Sequence, residues 1–192
     1  MNQWTFPTQI YAGPDSLNRL TEFSNESILI ICDPFLKDSS SLTYVIGLMD
    51  SNNKVTIYTD VVPDPPITHV VKGIEFMEGI RPTVIIAIGG GSCIDMSKGM
   101  AYFGRKLKHM DIKSFIAVPT TSGTGSEVTS FAVLTDSETQ IKYPLVDDAV
   151  LPDEALLTPL FVKTSPPSVT AFSGMDVLVH ALEAYVATAA NN

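Results

Sequence analysis

The chain has 192 residues, 45% of them hydrophobic, and it carries 12 basic against 21 acidic side chains for a formal net charge of −9. This acidic balance excludes nucleic acid as the expected partner, because the basic surface that contacts phosphates is missing. Two widely separated cysteines exclude a disulfide scaffold, and the longest apolar run is too short to cross a bilayer, so we expect a cytoplasmic protein with one domain and an appendage.

Short apolar runs alternate with amphipathic segments over the first 118 residues. Four runs rich in Ile, Leu and Val predict strands, at residues 27–33, 54–58, 83–89 and 114–118. Helical spacing precedes or separates these runs, near residues 15–23, 40–50, 67–79 and 93–103. Continuous apolar strands are typical of a sheet that is covered on both faces. We therefore predict an α/β fold with a doubly wound, mainly parallel, Rossmann-like sheet.

The pattern changes after Val118. Pro119–Glu127 is a polar, glycine-rich loop, and two strand-like pieces follow at residues 131–135 and 142–146. From Ser173 onward helical spacing is strong, and one apolar stripe contains Met175, Leu178, Val179, Leu182, Tyr185 and Val186. A helix with such a stripe is expected to dock on something, either the α/β core or a second domain.

Three consecutive glycines and a serine, Gly89–Ser92, stand between a predicted buried strand and a predicted helix. Glycine lets the backbone approach a ligand closely, and a helix N-terminus offers free N–H groups to a phosphate. A pyrophosphate site is the favoured interpretation, and a plain tight turn is the alternative. The spacing is not GxGxxG and does not follow the first strand, which disfavours an ordinary Rossmann dehydrogenase.

Two acidic residues, one well before this turn and one just after it, are further candidates. Asp33 closes the first predicted strand, where it could accept hydrogen bonds from a ribose and repel a 2′-phosphate, which favours NAD over NADP. A turn or helix cap before Pro34 is an equally good interpretation. Asp95 could face a ligand ribose, but on its own it is more simply a cap or a solvated carboxylate.

The loop after Val118 is the most unusual segment. Its hydroxyl side chains and glycines form a nest of donors that suits phosphates or a polar ring: Thr120, Thr121, Ser122, Gly123, Thr124, Gly125 and Ser126. An ordinary surface loop is the alternative. Because this loop follows a predicted buried strand, we expect it at the same sheet edge as the glycine turn.

Asp176 and His180 are four residues apart on the last predicted helix, so their side chains share one face. Such a pair can ligate Fe²⁺ or Zn²⁺, although a surface hydrogen bond is the commoner outcome. The other two histidines, His69 and His109, stand in polar contexts and are expected to be exposed. Cys93 is either a thiol with a lowered pKa at a helix start or a small packing residue.

Taken in order, three motifs resemble those of the iron-containing (group III) alcohol dehydrogenases: Gly89–Ser92 with Asp95 and Lys98, Pro119–Glu127, and Gly174–Tyr185. The resemblance extends from Phe6 to the end of the sequence. The short connection between Ala101 and Ser114 is similar to that of the propanol dehydrogenase branch. The resemblance implies a fold like that of dehydroquinate synthase, with a dinucleotide-binding α/β domain at residues 1–165 and the first helix of an all-helical, metal-binding domain at residues 166–192.

The resemblance also implies site residues and an activity. NAD would be bound by Asp33 on the adenine ribose, by Gly90, Gly91 and Ser92 on the pyrophosphate, and by Asp95, Thr120, Thr121, Thr124, Thr129 and Lys142 elsewhere. Asp176 and His180 would be the first two ligands of a catalytic iron. The implied reaction is metal-assisted, NAD-dependent oxidation of a small primary alcohol, or the reverse aldehyde reduction. Asp64 stands where many relatives carry asparagine beside the adenosine.

Family members obtain two more histidine ligands from the all-helical domain, of which this sequence contains only the first helix. We therefore expect the chain to bind NAD(H) without turnover, to hold iron or zinc poorly, and to self-associate through Leu178, Leu182 and Tyr185. A cytoplasmic homo-oligomer, or one inside a bacterial microcompartment, fits the resemblance. The alternatives are a glycerol dehydrogenase-like relative, disfavoured by the GTGSE loop, and a non-catalytic nucleotide-binding module.

Overall fold

The computed structural model describes residues 7–188. Within this range the chain forms eight strands: β1 Gln9–Ala12, β2 Ser27–Cys32, β3 Lys54–Tyr58, β4 Val84–Gly89, β5 Ser114–Pro119, β6 Phe131–Thr135, β7 Lys142–Val146 and β8 Glu154–Leu157. It also forms five α-helices: α1 Ser40–Leu48, α2 Ile67–Ile80, α3 Gly91–Lys108, α4 Pro159–Val162 and α5 Pro167–Val186. Short 3₁₀ turns join several of them.

Six of the strands form one parallel sheet in the order β1-β8-β5-β4-β2-β3, and β6 and β7 form a separate antiparallel hairpin. The prediction of a doubly wound, mainly parallel α/β fold is confirmed. The four apolar runs and both short strand-like pieces are strands, with boundaries within one residue of those predicted.

The sheet separates two hydrophobic cores. Alternate residues of β2 and β4 point to opposite faces, as the period of two in a strand requires. Leu29 and Ile85 pack with α2 and α3 on one face, and Ile30 and Ile86 pack with α1 on the other. Each fully buried Leu or Ile side chain contributes roughly 1.5–3 kcal/mol. The continuous apolar runs in the sequence are therefore explained by burial on both faces.

The connectivity places a crevice at one edge of the sheet. After β2 the chain moves outward to β3, and it then crosses back to place β4 on the other side of β2. Helix α1 consequently lies on one face of the sheet and α3 on the other. In open α/β sheets, ligands bind outside the carboxyl ends of the strands where the strand order reverses in this way. That point lies between Asp33, after β2, and Gly90, after β4.

Some predicted element boundaries are wrong. Strands β1 and β8 were not predicted, and they pair with each other from Gln9 beside Glu154 onward. The predicted helix at residues 15–23 is a 3₁₀ helix, Ser16–Glu22. Helix α3 begins at Gly91 and continues to Lys108, and α5 begins at Pro167.

The apolar stripe of helix α5 is uncovered. None of its residues is buried, and Leu178, Leu182 and Tyr185 are 52%, 57% and 77% exposed. It approaches the polar loop closely at one place, where a Cβ atom on Gly123 would lie 2.9 Å from Cβ of Ser173. The predicted division into domains at residues 1–165 and 166–192 stays a prediction. Residues 1–6 of the first predicted domain and residues 189–192 of the second lie outside the described residues. No helix in the described part has the length and apolar character to span a membrane.

Candidate cofactor site and metal ligands

A cavity of about 580 Å³ opens at the carboxyl ends of β2, β4 and β5. Asp33, Gly90, Thr120 and Thr121 line it, so the structure brings together candidates from three separate stretches of sequence. The size is within the range of roughly 300–1,000 Å³ that is typical of small-molecule sites. The serines that begin helix α1 complete one rim, Ser39, Ser40 and Ser41.

Asp33 faces the glycine turn. Its side chain makes no capping hydrogen bond to the 3₁₀ turn that follows, although Asp33 occupies the cap position. Burial raises the pKa of this carboxyl, and the neighbouring backbone N–H of Gly90 partly opposes the rise. A Cβ atom on Gly89 would lie 2.8 Å from Oδ2 of Asp33. The absence of a side chain at Gly89 therefore lets the carboxylate approach the turn.

The glycine turn is also the start of helix α3. Gly90 is the N-cap residue, with extended backbone and no side chain to occupy the free N–H groups of the first turn. A Cβ atom on Gly91 would lie 2.9 Å from Oγ1 of Thr124, so a larger residue there would displace the polar loop. A Cβ atom on Gly90 would lie 3.6 Å from Thr121. The turn and the loop are therefore packed closely together, and the free N–H groups at this helix N-terminus suit an anion.

Ser92 and Lys142 meet at the other end of the turn through Asp64. The backbone N–H of Asp64 donates to Oγ of Ser92 over 3.3 Å, and Nζ of Lys142 lies 2.7 Å from Oδ1 of Asp64. Both members of this ion pair are mostly exposed. Lys142 therefore lies near the glycine turn, where its ammonium group is paired with the carboxylate of Asp64. Its predicted contact with the cofactor stays a prediction.

Asp95 is a structural anchor in this arrangement. The expectation of a solvated or capping carboxylate is wrong, because Asp95 is 8% exposed, and Gly90 is the N-cap. Its Oδ1 accepts from Oγ of Ser126 over 2.9 Å, and its Oδ2 accepts from the backbone N–H of Val133 over 2.9 Å. The carboxylate therefore ties the end of the polar loop and strand β6 to helix α3.

Lys98 completes the anchor one turn further along α3. It is fully buried, and its Nζ donates to the backbone oxygens of Thr129 and Phe131 over 2.8 and 2.7 Å and to Oγ1 of Thr129 over 3.1 Å. Burial lowers the pKa of Lys98 to about 8, although the nearby carboxylate of Asp95 raises it. Thr129 is thus held at this point by Lys98. The motif contained Lys98, but its partners follow it by more than thirty residues, so sequence spacing gave no sign of the role.

The polar loop leads to a second cavity, of about 520 Å³. Thr121 borders both cavities, and the second one also lies against Glu127, Lys163 and Val177. Thr120 is fixed by its backbone, which donates to the oxygen of Gly89 over 3.0 Å and accepts from Oγ of Ser165. The loop therefore runs between two adjoining spaces, one facing Asp33 and the other facing helix α5.

Asp176 and His180 share one exposed face of α5, as predicted. Nε2 of His180 lies 3.5 Å from Oδ1 of Asp176, and their side chains are 62% and 41% exposed. Within residues 7–188, no group of three or more His, Cys, Asp or Glu side chains could hold a metal ion. The pair can supply two ligands, and in the described part of the chain it does not form a complete metal site.

The remaining candidates are settled by burial. Cys93 is fully buried, and burial raises the pKa of its thiol well above its ordinary value, which favours the packing interpretation. His109 is exposed, as expected. The same expectation is wrong for His69, which is half-buried, with Nδ1 enclosed and Nε2 3.6 Å from Oδ1 of Asp60.

Comparison with known proteins agrees with this geometry. The sequence profile of the iron-containing alcohol dehydrogenases matches residues 7–159. The chain is 45% identical to the 1-propanol dehydrogenase PduQ of Citrobacter freundii over all of its residues and 52% of that relative. It is 40% identical to an NADPH-dependent butanol dehydrogenase of Clostridium saccharobutylicum, with 98% of the chain and 53% of that relative covered.

A solved structure shows the same fold. The sulfoacetaldehyde reductase of Bifidobacterium kashiwanohense, in complex with NAD⁺, superimposes with a TM-score of 0.85 at 30% identity, covering 96% of this chain and 53% of that one. The chain belongs to the iron-containing alcohol dehydrogenase family, a family of oxidoreductases. It spans about half the length of the curated relatives that it matches.

Proposed function

We propose that the chain is the dinucleotide-binding part of an NAD-dependent, metal-assisted alcohol dehydrogenase, or aldehyde reductase, that acts on small primary alcohols. The observation that carries this proposal is the crevice in which Asp33, Gly90, Thr120 and Thr121 meet at the reversal of strand order. Family membership and the 1-propanol dehydrogenase relative support the reaction class. They also favour this activity over a glycerol dehydrogenase-like one.

In this proposal each part of the crevice contacts a different part of the dinucleotide. Asp33 accepts hydrogen bonds from the adenine ribose, and Gly90, Gly91 and Ser92 present backbone N–H groups to the pyrophosphate. The polar loop and Lys142 bind the remainder, through Thr120, Thr121 and Thr124. Asp95 and Thr129 act through the loop that they hold, since their polar groups already bond to other parts of the chain.

Asp33 gives the site a preference between NAD and NADP. A carboxylate at this position accepts hydrogen bonds from free ribose hydroxyls and repels a 2′-phosphate. The butanol dehydrogenase relative is named as NADPH-dependent, so family membership alone does not decide the cofactor. We assign NAD as the cofactor of this chain because of the carboxylate of Asp33.

The metal part of the proposal rests on Asp176 and His180. A bound divalent ion would supply Lewis acidity toward the alcohol oxygen. Since the described residues bring only this pair together, the other ligands would have to come from outside residues 7–188. We therefore expect the 192-residue chain to bind NAD(H) without turnover and to hold Fe²⁺ or Zn²⁺ poorly. The assignment of residues 1–165 and 166–192 to two domains belongs to the same proposal.

Calorimetric titration of the purified chain with NADH and NADPH tests the cofactor assignment. We expect NADH to bind at least tenfold more tightly than NADPH, and the Asp33→Ser variant to reduce that ratio. Equal affinity for the two cofactors in the unchanged chain would contradict the role of Asp33. Absence of dinucleotide binding would contradict the proposed function itself.

The coding frame beyond codon 192 separates the enzyme from the alternative of a non-catalytic module. A frame that continues and encodes two histidines in helical context supports the enzyme, which would then be assayed against a panel of primary alcohols. A stop codon at this position favours the module. Tight stoichiometric metal in the 192-residue chain, or robust propanol oxidation by it, would contradict our expectation for the chain alone.

We also propose that the protein is a cytoplasmic homo-oligomer, or one inside a bacterial microcompartment, that binds neither membranes nor nucleic acid. The exposed stripe of α5 and the net charge of −9 support these assignments. Sedimentation velocity over a range of concentrations should show self-association, and Leu182→Glu should reduce it. A purely monomeric profile would contradict the oligomer.

A further inference from the structure

The segment after β2 exposes one large aromatic side chain at the crevice. Residues Pro34–Leu36 form a short 3₁₀ turn, which is closed by a hydrogen bond of 2.9 Å from the backbone N–H of Leu36 to the oxygen of Asp33. The turn buries Leu36 in the core and directs the carboxylate of Asp33 to Gly90. Phe35, between them, is 74% exposed and lines the 580 Å³ cavity.

The wall of the cavity is made of two kinds of group. Asp33, the glycine turn and the hydroxyls of several Ser and Thr residues are polar, and the apolar lining comes from Phe35, Leu36, Phe161, Pro166 and Val169. Leu36 and Phe161 are fixed in the hydrophobic core beneath this wall. Phe35 is therefore the aromatic ring of the wall that remains largely free to contact a ligand.

This division matches the two parts of a nucleoside. A ribose at Asp33 carries its base only a few ångströms away, and a base prefers to stack on an aromatic ring, since both have flat π-faces. Stacking does not depend on hydrogen bonds to the base edge. Phe35 is two residues from Asp33 on a fixed turn, so one short segment can contact both ribose and base.

We propose that Phe35 is a further cofactor-binding residue, which stacks on the adenine ring of the dinucleotide and thereby increases its affinity. The inference rests on the proposed function and adds a contact to it. The competing explanation is that Phe35 is exposed by chance, because single exposed apolar side chains are common on protein surfaces.

Titration with the two halves of the cofactor distinguishes these explanations. The 192-residue chain and its Phe35→Ala variant would be titrated by calorimetry with NADH, with ADP-ribose, which contains the adenosine half, and with reduced nicotinamide mononucleotide, which lacks it. Loss of base stacking predicts a Kd about tenfold higher for NADH and for ADP-ribose. The Kd for the mononucleotide should not change.

Two further variants serve as controls. Phe172→Ala removes an equally exposed phenylalanine, 77% exposed on helix α5 and absent from both cavity linings, and it should leave all three Kd values unchanged. Phe35→Trp keeps a stacking surface and should restore the affinity for ADP-ribose to within about twofold of the unchanged chain.

The possible outcomes of these titrations separate the inference from the proposed function. An unchanged Kd for ADP-ribose in Phe35→Ala would overturn the inference and leave the proposed function standing. A loss of mononucleotide affinity equal to that of ADP-ribose, or no restoration in Phe35→Trp, would also overturn it, because the effect would then not be stacking on the base. Failure of the unchanged chain to bind any of the three ligands would overturn the proposed function, and the inference with it.

Discussion

Oδ1 of Asp95 lies 4.0 Å from Nζ of Lys98, one turn along helix α3, and both groups bond to the segment that follows the polar loop. Asp95 holds Ser126 and Val133, and Lys98 holds Thr129 and Phe131. The end of the polar loop and the start of strand β6 are thus fixed to the helix that begins at the glycine turn. The position of the polar loop depends on this buried pair.

Removal of the Asp95 carboxylate should destabilise the fold. Asp95→Ala leaves the Lys98 ammonium buried without its nearest opposite charge and leaves the N–H of Val133 without its acceptor. Breaking a buried pair in this way costs about 3–5 kcal/mol. Urea unfolding followed by circular dichroism measures the change. The matched control is Glu78→Ala, which breaks an exposed ion pair with Lys108 and should cost less than about 1 kcal/mol. Equal effects of the two substitutions would contradict the anchoring role.

Adding a methyl group at Gly91 should weaken NADH binding. The new Cβ atom would lie 2.9 Å from Oγ1 of Thr124, so the loop would have to move away from the glycine turn. We expect Gly91→Ala to raise the Kd for NADH at least tenfold. Gly79→Ala in helix α2 is the control, since its Cβ atom would meet nothing within 4 Å. That variant should bind NADH normally and be slightly more stable, because alanine favours helix more than glycine does.

The affinity for NAD⁺ should fall in acid because of Asp33. Burial raises the pKa of Asp33 above its ordinary value of 3.8, and only the ionised carboxylate accepts both ribose hydroxyls. As the pH falls through this raised pKa, the affinity should decrease with a slope approaching tenfold per pH unit, as linkage to one proton requires. Calorimetry on the unchanged chain and on Asp33→Asn, which should lose this pH dependence, checks the assignment.

The contribution of Asp33 to the stability of the fold should change with pH in the opposite direction to its contribution to cofactor affinity. A carboxyl whose pKa is raised in the folded state binds more protons folded than unfolded, between the unfolded pKa and the folded one. The contribution of Asp33 to stability therefore falls as the pH rises through that window. Urea unfolding at several pH values checks this. Over the same window, the midpoint urea concentration of Asp33→Asn should vary less with pH than the midpoint of the unchanged chain.

Both thiols should be unreactive in the native protein. Burial raises the pKa of Cys32 to about 11 and that of Cys93 well above its ordinary value, and both side chains are inaccessible. A thiol reagent such as dithionitrobenzoate should react with neither cysteine in buffer and with both in denaturant. Rapid reaction of Cys93 in buffer would contradict this expectation and would mean that helix α3 opens locally at its first turn.

The sequence predicts the central fold well because its signals are local. The runs at residues 54–58, 131–135 and 142–146 are strands with the predicted limits, since β-branched or aromatic residues, which favour strands, occur in each one. Strands β1 and β8 have only four residues each; β8 pairs with β5, and β1 pairs with β8 across more than 140 residues of chain. Nothing within either segment indicates that pairing.

The same distinction applies to the candidate site. Gly89–Ser92 and the loop after Val118 are recognisable from composition, and the fold brings them to one edge as expected. The expectation that Asp95 is a solvated or capping carboxylate is wrong because its partners, Ser126 and Val133, lie 31 and 38 residues further along the chain. Phe35 had no periodicity to mark it, and its exposure is visible only once the turn after β2 is formed.

The reversal of strand order between β2 and β4 has a mechanical consequence. Helices α1 and α3 lie on opposite faces of the sheet, yet their first residues meet at the same cavity, where Ser39–Ser41 and Gly90 form part of its wall. A ligand lodged there would act as a crosslink between two layers that the sheet otherwise keeps apart. Contacts of the ligand with one layer would therefore restrict the motion of the other layer.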